Sequence, residues 1–208
     1  MKKFITLMGL TVSLALAAAT VEILPATNNA NGRLTDVDND GVIDEAMAGG
    51  ADGMEINVGK IWGKTNKAVF EFQLPENLGK VKSAKLRLSP NGTEGCYPEV
   101  AGGNGPECWV FYYLAPEANG KIELSDDNGE KLQIRIPDKA LVKPIKPIEL
   151  NVTPALEAAQ EAKSQWVGLR LEISAKESNA DKAWRFRTVK FGEKYDKISA
   201  PTLILETE

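Results

Sequence analysis

The sequence predicts an all-β fold, an antiparallel, jelly-roll-like β-sandwich with one short helix, on three observations. Apolar and polar residues alternate over many short runs, clusters of Gly, Asn, Asp and Pro separate those runs, and only one segment has a helical composition. In the clearest run, Lys67 to Leu74, residues Ala68, Phe70, Phe72 and Leu74 share one face while Lys67, Glu71 and Gln73 point to the other. After an Asn-Leu-Gly turn, Ala84, Leu86 and Leu88 alternate with Lys85 and Arg87, so this pair should turn one side to a core and the other to water. Further strands are expected at Val21 to Leu24, Trp109 to Leu114, Leu132 to Ile136, Ile148 to Val152, Val167 to Ile173, Trp184 to Val189 and Thr202 to Leu205. The helix is expected to begin with Thr153 as cap and Pro154 at the first helical position, followed by good helix formers from Ala155 to Lys163. Gly120 to Glu130 reads as a loop at a hairpin edge, and the two prolines within Lys143 to Pro147 exclude a central strand there.

Lys2 and Lys3 precede an apolar stretch, Phe4 to Ala18, that ends in small residues, which is the pattern of a secretory signal peptide over residues 1–19. That apolar core is shorter than a bilayer requires and no later segment is longer, so no membrane span is expected and the chain should be secreted, to the extracellular space or the cell surface. Residues 20–208 fit a single sandwich domain, with no linker or repeat dividing them.

Composition narrows the function. The 25 basic residues are scattered among 29 acidic ones, which argues against nucleic acid as a partner. Histidine is absent, removing the commonest general base, the usual zinc ligand and every Ser-His or Cys-His pair, so the expected role is binding or assembly and not catalysis. Cys96 and Cys108 lie in one Gly/Pro-rich loop of an exported chain, where an oxidising environment favours a local disulfide of roughly 2–3 kcal/mol.

The sharpest motif is Asp36-Val37-Asp38-Asn39-Asp40-Gly41-Val42-Ile43-Asp44, which fits a Ca²⁺ loop. Carboxylates at positions 36, 38 and 40 can converge on one ion, Gly41 allows the sharp turn, Val42 can offer its backbone carbonyl and Asp44 closes the shell. A divalent cation also removes the repulsion between four carboxylates in nine residues. The helix-loop-helix form of the motif ends on a bidentate Glu where this chain has Met47, so the loop resembles the shorter ones of dockerin and thrombospondin-like repeats. The same residue types also build a solvated acidic turn.

Aromatic faces stack on sugar rings, which makes the tryptophans the next candidates. Trp62, beside Gly63 and Lys64 in a turn, and Trp109, followed by Tyr112, are the expected carbohydrate contacts. Trp166 falls at a strand mouth, and Trp184, sharing a face with Phe186, is expected in the core.

The segments NKAVFEFQLP, VKSAKLRLS, IELNVTPAL, WVGLRLEIS and SAPTLILE together resemble the DNRLRE-type domains, which include carbohydrate-binding module family 96. Phe72 and Leu74, Ala84 with Leu86 and Leu88, Asn151 to Thr153, Gly168 with Leu169 and Leu171, and Pro201 with Leu203 occupy the motif positions. Only Phe191 and Glu193 match the segment before the final strand. The resemblance implies a β-sandwich and, less specifically, polysaccharide recognition. The expected partner is therefore an extracellular polysaccharide. The alternative is copies of the chain itself, in a filament, matrix or surface layer built by strand exchange between Val21 to Leu24 and Thr202 to Leu205.

Overall fold

The computed structural model describes residues 19–49, 53–90, 106–136, 147–174, 182–195 and 199–208. Residues 1–18 of the expected leader, and Cys96 with its expected bond to Cys108, lie outside the described residues.

The described residues form two antiparallel sheets with two short α-helices. The strands are β1 (Ala19–Ile23), β2 (Asn31–Asp36), β3 (Glu45–Ala48), β4 (Glu55–Ile61), β5 (Lys64–Gln73), β6 (Val81–Leu88), β7 (Cys108–Leu114), β8 (Glu130–Ile136), β9 (Ile148–Asn151), β10 (Trp166–Ile173), β11 (Ala183–Arg187) and β12 (Thr202–Thr207). Helix α1 (Thr153–Glu161) lies between β9 and β10, and α2 (Val189–Lys194) between β11 and β12. One sheet has the order β1-β12-β6-β9. The other has eight strands, β11-β4-β5-β10-β7-β8 with β2 and β3 attached through β5. Since β2 and β10 both pair with Ala68, Val69 and Phe70, they must occupy opposite edges of β5. The two sheets meet at a corner, where Pro90 bridges Phe186 and Arg187 N donates to Ser89 O.

Alternation explains the core. Phe70 and Phe72 on β5, Leu169 and Leu171 on β10, Ile56 and Val58 on β4, and Trp184 and Phe186 on β11 are essentially buried against Leu86 and Leu88 on β6 and Leu203 and Leu205 on β12. Each such large side chain contributes about 1.5–3 kcal/mol by leaving water. Leu203 faces Leu86, and Leu205 faces Ala84, across the β12–β6 pair, so the register that hydrogen-bonds the sheet also stacks its apolar residues. Helix α1 closes one end, its stripe of Ala155, Leu156 and Ala159 fully buried.

Three details depart from the sequence reading. Val152, not Thr153, is the N-cap of α1; Thr153 is already helical, and its hydroxyl instead accepts from Ala84 N at 2.9 Å, tying helix to sheet. The strand expected to reach Val189 ends at Arg187, because Thr188 caps α2 by accepting from Phe191 N at 3.3 Å. The outer face of β5 was expected to be wet, yet Val69 and Glu71 are completely buried there. The segment 115–129 folds back over that face, and Ala118 packs with Leu34, Val69 and Tyr113 in a second apolar cluster.

Candidate functional site

The acidic motif is the loop of the β2–β3 hairpin. Thr35 pairs with Glu45 across the hairpin, and Asp44 N donates to Thr35 O at 2.9 Å. Asp36, at the end of β2, is nearly buried, whereas Asp38 and Asp40 are exposed. Its carboxylate organises the turn: Oδ1 accepts from Asn39 N at 2.7 Å and Oδ2 from Gly41 N at 3.0 Å. Asn39 and Gly41 both take positive φ, 63° and 93°, a conformation that Asn and Gly adopt at least cost.

One carboxylate oxygen from each of Asp36, Asp38 and Asp40 lies within 4.8 Å of the others. Oxygens bound to one Ca²⁺ at about 2.4 Å can be no more than about 5 Å apart, so this hard, all-oxygen donor set fits that ion. The other two expected ligands have these surroundings. Asp44 lies outside that group, and its Oδ2 accepts from Val37 N at 2.7 Å. The side chain of Val42 points into water, and its N–H donates to Asp40 Oδ1 at 2.8 Å.

The loop is also clamped to its neighbour, a contact that spacing alone did not reveal. Asn39 Nδ2 donates to Gly63 O, and Asn39 Oδ1 accepts from Thr65 Oγ1 at 2.6 Å. Gly63 and Thr65 flank the tight β4–β5 turn that carries Trp62, which is 74% exposed, more than any other large apolar side chain among the described residues. An aromatic platform and an acidic cluster thus share one rim.

The other aromatic candidates do not join it. Trp109 and Tyr112 lie on opposite faces of β7, as odd spacing along a strand requires. Trp109 is half-buried on the outer face with Lys131 Nζ 3.5 Å from its ring centroid. Tyr112 packs against the sandwich core and donates its hydroxyl to Glu130 Oε2 at 2.8 Å. Burial first, and then Glu130, push its pKa up. Trp184 is buried, as expected, and its Nε1 donates to Pro106 O at 2.6 Å.

A second polar constellation escaped the sequence reading altogether. On the outer face of the large sheet, Glu71 Oε1 accepts from Tyr113 Oη at 2.9 Å, and Oε2 accepts from Asn119 N at 3.1 Å and Gly120 N at 2.5 Å. Arg170, also buried, donates to Asp126 O at 3.0 Å and Asn128 O at 2.8 Å and pairs with Asp127 and Glu172. Burial pushes the carboxyls of both Glu71 and Asp126 up, Asp126 to about 7. Glu71, Arg170 and Glu172 are single charges between apolar neighbours in the sequence, Asp126 and Asp127 belong to a polar loop, and only the fold of 115–129 brings them together.

No helix among the described residues is long and apolar enough to cross a membrane. Comparison with protein-family models and with curated proteins finds no match to this chain.

Proposed function

We propose that this chain is an exported, non-catalytic β-sandwich that binds extracellular polysaccharide, with Ca²⁺ held by Asp36, Asp38 and Asp40 as a structural ion. The observation that carries the reading is the clamp from Asn39 to Gly63 and Thr65, which couples three convergent carboxylates to the turn presenting Trp62. The ion neutralises the carboxylates and orders the loop; the loop in turn steadies the Trp62 turn against the conformational entropy that binding would otherwise cost. The indole face supplies stacking area, and polar groups of the same rim hydrogen-bond sugar hydroxyls. The basic start of the chain with its apolar stretch supports export, and the resemblance to DNRLRE-type domains supports the ligand class.

Retention on immobilised polysaccharides, measured with Ca²⁺ and after chelation, tests this. Wild type should be retained, Trp62→Ala should lose retention while keeping its Ca²⁺-dependent rise in melting temperature, and Asp38→Ala with Asp40→Ala should lose that rise. Failure of wild type to bind any polysaccharide defeats the reading.

A second reading is supported by the position of β1. Among the described residues this strand lies at an edge of the four-stranded sheet, pairs with β12 alone and sets Val21 and Ile23 only partly buried against the core. Such a strand can be exchanged between copies of the chain, giving a filament, matrix or surface layer. Calcium-dependent polymers in size-exclusion chromatography would favour assembly; a monomer in both conditions favours the binding module.

A further inference from the structure

The segment 115–129 is a strap across the outer face of the large sheet, and it is fastened mainly by polar groups. Its two ends are fixed by β7 and β8, and its middle by the Glu71 carboxylate, which collects the amides of Asn119 and Gly120 together with the Tyr113 hydroxyl. Gly120 lies so close to Trp166 that a Cβ there would sit 2.6 Å from the indole ring. Gly168 leaves room for the Tyr113 ring, which a Cβ would meet at 2.1 Å. Beneath the strap are Leu34 and Val69, with Ile122 and Trp166 against them.

The charges around this fastening do not balance. Facing it are Lys67 and Glu71 from β5, Tyr113 from β7, Arg170 and Glu172 from β10, and Glu123, Asp126 and Asp127 from the strap itself. Lys67 pairs with Asp127 at 2.5 Å and with Glu172 at 3.4 Å, and Arg170 pairs with the same two carboxylates, each at 3.3 Å. Neither Glu71 nor Asp126 has an ion-pair partner among the described residues, although both side chains are fully buried. Two ionised carboxylates in such surroundings repel each other and are poorly solvated, so one of them holds a proton.

Hydrogen bonding decides which one. Glu71 accepts three donors across its two oxygens, as an anion should. Asp126 accepts one bond, from Glu123 N at 2.8 Å to Oδ2, while its Oδ1 is buried without a partner. The carboxyl with fewer donors is the better seat for the proton.

We propose that residues 115–129 form a proton-operated strap: with Asp126 neutral it lies closed on the sheet, and release of that proton to water loosens it and bares the apolar patch of Leu34, Val69, Tyr113 and Trp166. The pKa of Asp126, raised to about 7 by burial and by Glu71 and Glu123, lets the strap loosen progressively from the ordinary carboxylate range up to about neutrality. Opening needs no unfolding of the sandwich, because the strap packs on the outer face and the main core lies between the sheets.

Amide exchange followed residue by residue on the whole chain, from roughly pH 5 to 9, tests the proposal. After correction for the intrinsic base-catalysed rate, protection at Asn119 and Gly120 should fall at least about tenfold between about pH 5 and 7 and level off above about 7, while amides of β6 and β12 keep theirs. Asp126→Asn, which copies the neutral acid in shape, should keep the strap protected throughout. Flat protection in wild type, or a variant that follows the wild-type curve, overturns the proposal. Should the variant not fold, the side-chain carboxyl carbon of Asp126 is titrated in wild type by NMR; a midpoint close to 7 supports the strap, and one in the ordinary carboxylate range refutes it.

Discussion

The β2–β3 loop and the β7–β8 strap both crowd carboxylates into a few residues, yet they relieve the repulsion in opposite ways. In the loop, Asp38 and Asp40 face water and backbone amides turn toward Asp36 and Asp40, so solvent and N–H dipoles offset the repulsion where the acids converge. In the strap, Glu71 and Asp126 are sealed from solvent, where charge is costly and a proton is the cheaper neutraliser. Exposure, not the number of acids, is what differs between the two clusters.

The strap should be the more fragile of the two. Arg170→Met removes the donors to Asp126 O and Asn128 O and leaves Glu172 and Asp127 short of a cation, so a loss of about 3–5 kcal/mol is expected in urea unfolding. A loss below about 1 kcal/mol would mean that the network is not what fastens the strap.

Stability should also change with pH in the direction set by the strap. The folded chain keeps on Asp126 a proton that the unfolded chain has released above about pH 4. The contribution is therefore complete below about pH 4 and is lost as pH rises to about 7, by at most about 4 kcal/mol. Urea midpoints at both ends of that window measure it, and Asp126→Asn should flatten the difference. Ca²⁺ binding at the β2–β3 loop, as proposed, would have the opposite requirement, since the acids must be ionised to bind.

Calcium gives the next effect in size. At a concentration a hundredfold above its dissociation constant the ion should add about 2.7 kcal/mol, visible as a higher melting temperature that chelation reverses. An unchanged melt would reduce the loop to a solvated turn. The smallest effect is expected from Asn39→Gly, which keeps the positive φ but loses the bonds to Gly63 and Thr65. About 1 kcal/mol should be lost, together with the Ca²⁺ response of the Trp62 fluorescence.

Legibility in the sequence followed the clarity of alternation. β5 and β6 carry several inward residues each, and their inward faces were readable in advance. β2 and β3 were missed because Leu34 is the one large apolar residue that they bury between them. β4 was missed because its alternating Ile56 and Val58 are cut short by Gly59, whose place against Ala183 leaves no room for a Cβ. At the candidate site, the Asp spacing was readable since all the carboxylates belong to one loop. The clamp from Asn39 to Thr65 spans 26 residues and was not.

By itself, then, the sequence determined the antiparallel strands, the oxygen-rich loop and the compositional bias against histidine chemistry, because each is a property of neighbours along the chain. Tertiary structure alone decided that Glu71, read as a wet residue, is buried, that Trp109 and Tyr112 cannot share a platform with Trp62, and that Asp126 meets Glu71. The burial of Glu71 and its meeting with Asp126 depend on where the loop 115–129 lands. Its landing is set by space beside two glycines and by a buried carboxylate's need for donors, neither of which has a local signature.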